Sequence, residues 1–208
     1  MGYGADPVAC LERLGEAAAT VAGNHEHGAV GMMDLSWFNP VARTAAIWTR
    51  AQLDTDHQRY LERLPLSTTV EGATLVHASP RHPEEWDYLI SPEDGFEVFG
   101  DFATRLCFVG HSHRPTVWSQ GSSGSEYSGP PHPAGARLRL ADGRRFIVNV
   151  GSVGQPRDRD PRAAYAIWDL DERTVIFRRV DYDQRGAAEK ILAAGLPRPL
   201  AERLAHGL

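Results

Sequence analysis

Three short apolar runs in this chain stop at polar residues of one chemical kind. Val21-Ala22 leads into Gly23-Asn24-His25-Glu26, Leu75-Val76 into His77, and Leu106-Cys107-Phe108-Val109 into Gly110-His111-Ser112-His113. Runs of this length, bounded by glycine and polar residues, read as buried strands. Strand ends gathered along one edge of a sheet are where layered α/β proteins build their sites. The pattern therefore constrains the fold and the place of the chemistry together.

The segments between these runs are mixed. Asp6-Pro7 suits a helix start, and Val8, Leu11, Leu14 and Ala18 follow at helical spacing, which predicts a helix over about 7–18. Thr20 to Ala22 reads as a short strand ending at Gly23. Residues 41–53 and 54–64 read as two helices, the second capped by Asp54 or Thr55 and ended by Pro65. Residues 66–80 read as two strands about a Glu71-Gly72 turn, and Ser91-Pro92 opens a short helix. The Gly-, Ser- and Pro-rich run 121–135 reads as a flexible surface loop. Hairpins are expected at Asp142-Gly143 and near Asp171-Glu172, and helices over about 184–194 and 198–206 close the chain. Helices mixed with strands, and strands clustered late, predict one α/β (α+β layered) domain over 1–208 with a substantial sheet.

Composition narrows the function classes. The net charge of −5 and the absence of a basic tract give no footprint for nucleic acid. No apolar run approaches the ~20 residues of a membrane span, and the first residues lack the layout of a signal peptide. Cys10 and Cys107 are far apart, without a Cys-x-x-Cys, which suggests reduced thiols in a cytoplasmic protein.

The residue types point to a metal. On extended backbone His111 and His113, two apart, would face the same side and could meet one ion or one each of two adjacent ions. His77 adds a third imidazole, Asn24 an amide oxygen and His25 a fourth imidazole. Neutral imidazoles suit zinc, iron, nickel and copper, while oxygen donors bring in manganese and magnesium. The remaining histidines, His27, His57, His82, His132 and His206, read as surface or hydrogen-bonded side chains.

In this order and context, Gly-Asn-His-Glu, Val-His-x-Ser-Pro and Gly-His-x-His resemble the calcineurin-like metallophosphoesterase superfamily. Val148 to Ile167 and the closing Leu-Pro-Arg-Pro-Leu are similar to its bacterial phosphodiesterase or diadenosine-tetraphosphatase-like branch. The resemblance implies a double β-sheet sandwich flanked by helices. It implies a hydrolase of a small phosphate ester or nucleotide, using Mn, Fe, Zn or Ni. Asn24, His77 and His111 would ligate one metal and His113 the other. His25 would stabilise the phosphoryl transition state or protonate the leaving oxygen. Arg81 and Arg157 are candidates to meet phosphoryl oxygens, with ordinary surface arginine an equal alternative. The glycines of Val150 to Gly154 either admit a close backbone approach to the site or make a plain tight turn.

One departure from the family pattern carries its own expectations. The family opens with strands bearing Asp-x-His and Gly-Asp, and neither motif precedes Gly-Asn-His-Glu in this sequence. Its first strands are thus expected to be missing, with a misplaced start the simplest cause. At most one metal, impaired turnover and self-association through an unpaired sheet edge are then expected. A non-catalytic metal- or partner-binding relic is the alternative.

Overall fold

In the computed structural model, which describes residues 1–130 and 132–208, the first third is helical. Helix α1 spans Pro7–Leu14, α2 Asn24–Val30, α3 Pro40–Gln52 and α4 Thr55–Glu62. The antiparallel pair β1 (Ser67–Val70) and β2 (Ala73–Val76) follows, then α5 (Pro92–Glu97). Strands β3 (Leu106–Val109), β4 (Thr116–Gly121), β5 (Gly124–Ser128), β6 (Arg137–Arg139), β7 (Arg144–Asn149), β8 (Ala163–Asp169) and β9 (Thr174–Val180) come next. Helices α6 (Gln184–Ala193) and α7 (Arg198–Glu202) close the chain.

The strands form a six-stranded sheet in the order β1-β2-β3-β7-β4-β5 and a three-stranded sheet in the order β6-β9-β8. The expected double-sheet architecture is thus present, and side-chain alternation shows why the layers stack as they do. Along β3 and β7, Leu106, Phe146 and Val148 face the small sheet and pack with Val175 and Phe177. Their neighbours Cys107, Val109 and Ile147 face the opposite way, against Val98, Phe99 and Trp118. A strand buried on both faces cannot show an apolar/polar alternation, so these strands read as continuous apolar runs. Helix α5 sits close on Trp118. A Cβ at Gly95 would come within 2.3 Å of that indole, so only glycine permits the contact. A third cluster joins α1, α2 and α4 through Leu11, Ala29, Val30 and Leu61.

Several sequence expectations need correction. Thr20 to Ala22 is an extended link, not a strand, and Ala22 N–H donates to the Pro65 carbonyl at 2.8 Å. Helix α1 stops at Leu14, four residues early, where Gly15 caps it. The turn at Asp142-Gly143 does not join a hairpin. Strand β6 pairs with β9 in the small sheet, whereas β7 pairs with β3 and β4 in the large one. Both strands needed burial on different partners, which local turn chemistry cannot reveal. Run 121–135 is not wholly loop, because its Gly124–Ser128 forms the exposed edge strand β5; residue 131 lies outside the described residues.

Candidate metal centre

Strands β2, β3 and β7 are parallel neighbours, so their carboxyl ends lie side by side along one sheet edge. That edge delivers His77 after β2, His111 and His113 after β3, and Asn149 to Arg157 at and after β7. Asn24 and His25 arrive differently, from the first turn of α2. Asparagine and histidine are weak in helix interiors but tolerated at this first turn, where the backbone N–H groups have no helical partner. Gly23 is the extended residue before the helix, and its N–H donates to Glu26 Oε2 at 3.0 Å. A Cβ on Gly23 would stand 2.6 Å from that oxygen and 2.9 Å from His77 Cε1, so glycine lets the helix start close to the imidazole.

His77 Nε2 lies 3.1 Å from His111 Nδ1. Two nitrogens this far apart suit one shared ion, since ligand bonds of ~2.0–2.1 Å would subtend roughly 95–100°. His113 Nδ1 donates to the Gln155 carbonyl at 2.7 Å, which fixes its tautomer and leaves Nε2 as a free lone pair. Contrary to the extended geometry expected for a His-x-His pair, both His111 and His113 are left-handed, each with φ 59°. Non-glycine residues adopt that region only where their surroundings hold them. Here the holder is Asn149, fully buried at the end of β7. Its Nδ2 donates to the Gly110 carbonyl and to Ser112 Oγ, and its Oδ1 accepts from Gly151 N–H at 2.9 Å.

His25 is 9% exposed, edged by Tyr3 and Phe38 with ring centroids 4.3 and 4.9 Å away, and its Nδ1 has no partner among the described residues. Burial pushes the His25 and His77 imidazoles down to about 4. It pushes His111 and His113 down to about 3, helped by neighbouring His77 and Arg157 respectively. All four are therefore neutral near pH 7, the form that ligates metals. Neutral nitrogens, one fixed tautomer and the His77–His111 spacing fit a divalent ion. The fit is partial: among the described residues, no three histidine, cysteine, aspartate or glutamate side chains gather closely enough to complete a site alone.

A cavity of about 620 Å³, within the usual range for small-molecule sites, brings together Asn24, His25, His77, His111, His113 and Arg157. Arg81 is placed elsewhere. Its guanidinium pairs with Asp101 at 2.9 Å and donates to the Glu97 carbonyl. Of the Val150–Gly154 glycines, Gly151 turns the chain at φ 84° with room for no Cβ, which would lie 2.8 Å from Ala164 Cβ, and both Gly151 and Gly154 also line the cavity. Sequence reasoning missed Asn149, Gln155 and Tyr88, which stacks on His111 with ring centroids 3.9 Å apart. An asparagine closing the apolar run Phe-Ile-Val was the available signal for the first.

No protein-family profile matches the chain. The chain is 36% identical over 214 aligned residues to uncharacterized protein MJ0912 of Methanocaldococcus jannaschii, spanning all of this chain and 83% of that one. A crystal structure of a metallophosphoesterase from Sphaerobacter thermophilus superposes with a TM-score of 0.85 at 41% identity, covering all of this chain and 85% of that one. Hypothetical protein PH1004 from Pyrococcus horikoshii shares the fold, with a TM-score of 0.76 at 17% identity over all of this chain and 82% of that one. With 41% identity to a metallophosphoesterase and a fold shared over all of its own length, the chain belongs to the calcineurin-like metallophosphoesterase superfamily.

Proposed function

We propose that this chain hydrolyses a phosphodiester or nucleotide-type substrate at the histidine cluster, with divalent metal. Phosphate-ester hydrolysis is the activity of the family. One observation carries the reading here: His77 and His111 converge through ring nitrogens 3.1 Å apart in a cavity that also holds Asn24, His25 and His113. His77 and His111, with the Asn24 amide oxygen, would hold one ion. His113, through its free Nε2, would serve a second ion only in a family member with further ligands. Such ions supply Lewis-acid stabilisation and a lowered pKa for bound water. His25, buried and neutral, offers a ring N–H to a phosphoryl oxygen or to the leaving oxygen. Arg157 adds positive charge at the cavity wall. Tyr3 and Phe38 keep water from the His25 ring.

The ligand set available in these residues is mostly neutral. A dication gains much of its binding from anionic ligands, so one weakly held ion and slow turnover are proposed for the 208 residues. The decisive assay is hydrolysis of bis(p-nitrophenyl) phosphate and of a dinucleotide polyphosphate by the manganese-loaded protein. Turnover lost in His77→Ala supports the reading. Failure on both substrates overturns it. The small number of acidic ligands also favours a second reading, a non-catalytic metal-binding relic. That reading predicts metal binding without turnover of either substrate. Among the described residues no helix is long and apolar enough to cross a membrane, and a cytoplasmic site of action is part of the proposal.

A further inference from the structure

Gln155 sits at a junction that the proposed chemistry does not by itself explain. It is 2% exposed. Its side-chain Oε1 accepts from Arg157 Nε at 3.2 Å and Nη2 at 2.9 Å, and from Arg203 Nη1 at 3.3 Å. Its backbone carbonyl accepts from His113 Nδ1, while Arg157 N–H donates to the His113 carbonyl at 3.1 Å. One short segment therefore fixes a cluster imidazole and a guanidinium together.

The charge balance at this junction is unusual. Two guanidinium groups converge on one neutral amide oxygen, and the amide's own Nε2 is buried without a partner. Among the described residues, neither Arg157 nor Arg203 has an ion pair. The adjacent carboxylate, Asp158, is committed to Arg179, with both side chains almost fully buried. A glutamate at 155 would have similar shape and would neutralise the pair. With glutamine the guanidiniums are anchored and oriented, yet their charge stays uncompensated. Arg157 lies over the Tyr3 ring, its Cζ 5.6 Å from the centroid, and lines the cavity that holds His25, His77 and His111. Like charges held this close are relieved by an anion.

We propose that Gln155 is a positioning residue that presents Arg157 as an uncompensated cation to a phosphate group entering the cavity. The assignment deepens the hydrolase reading and rests on it for the identity of the anion as a phosphate. The test avoids turnover altogether: inorganic phosphate is titrated calorimetrically into the metal-free protein at low salt. Gln155→Glu keeps the acceptor for both arginines but adds the missing negative charge. It is expected to weaken phosphate binding at least tenfold while leaving the melting temperature equal or higher. Arg157→Gln, at a half-buried position, is expected to weaken it similarly. Arg185→Gln removes one charge on the exposed face of α6 and is expected to leave binding unchanged. Wild-type phosphate affinity in Gln155→Glu, or no phosphate binding by the wild-type protein, overturns the proposal. Phosphate binding that depends on Gln155, without hydrolysis by the metal-loaded protein, instead overturns the hydrolase reading alone.

Discussion

Replacing Asn149 by alanine removes the side chain that holds the His-x-His turn. Two buried groups lose their partner, Ser112 Oγ and Gly151 N–H, and the Gly110 carbonyl keeps only Ser112 N–H. A hydrogen bond contributes about 0.5–1.5 kcal/mol net, and each buried group left unsatisfied costs about 1–3 kcal/mol. Water entering the small void offsets part of this. A loss of about 3–5 kcal/mol is expected, at the upper end for one substitution. For a chain of this size that corresponds to a fall of roughly 6–20 °C in melting temperature. The functional consequence is separate. With Gly110 and Ser112 released, His111 and His113 relax from their left-handed conformation and no longer face the cavity together. Metal affinity should drop about 10–100-fold, as when an outer support of a ligand is removed. Calorimetric metal titration and thermal denaturation of Asn149→Ala measure both effects. A fall below about 3 °C with unchanged affinity would refute the role given to Asn149 in posing the turn.

Further perturbations test the same architecture. Gly23→Ala places a methyl against Glu26 and His77, and should cost about 1–3 kcal/mol in urea unfolding while weakening metal binding; neutrality in both would contradict the close approach. Asp158→Ala leaves the buried Arg179 charge with only the longer Asp160 contact at 3.7 Å and should cost about 3 kcal/mol, with a loss under 1 kcal/mol counting against a buried pair. The metal-free protein should be acid-sensitive. The cluster histidines, held down at about 3 to 4 when folded, take up protons near 6.5 when unfolded. The unfolded state then binds more protons between those values, so stability is complete above pH ~6.5 and falls as pH drops toward ~4, by about 1.4 kcal/mol per unit per histidine. Urea midpoints that do not differ between pH 7.5 and pH 5 would contradict this.

Much of the site was legible because its ligands follow apolar runs. His77, His111 and His113 stand at the ends of β2 and β3, and the parallel pairing of these strands with β7 brings them together. The helical start at Asn24 was not legible, because the two apolar residues before it resemble a strand and the signal for the helix is a contact from Glu26 back to Gly23. Nor could the local sequence show that the Asp142-Gly143 turn separates two sheets, since that choice is made by long-range burial of β6 on β9. The left-handed histidines were hidden for a related reason. Their conformation is imposed by Asn149, thirty-odd residues away in the chain. Arg81 looked equivalent to Arg157 in sequence, yet Asp101 draws it to α5, while Gln155 keeps Arg157 in the cavity.

The claim at the centre of this account is that His77 and His111 share a divalent ion. It is tested most directly by counting metal per chain after loading with manganese or zinc and removing the excess, for the wild-type protein and for His77→Ala. One ion per wild-type chain, lost in the variant, is the expected result. No bound ion in the wild-type protein, or an ion retained in full by His77→Ala, would contradict it.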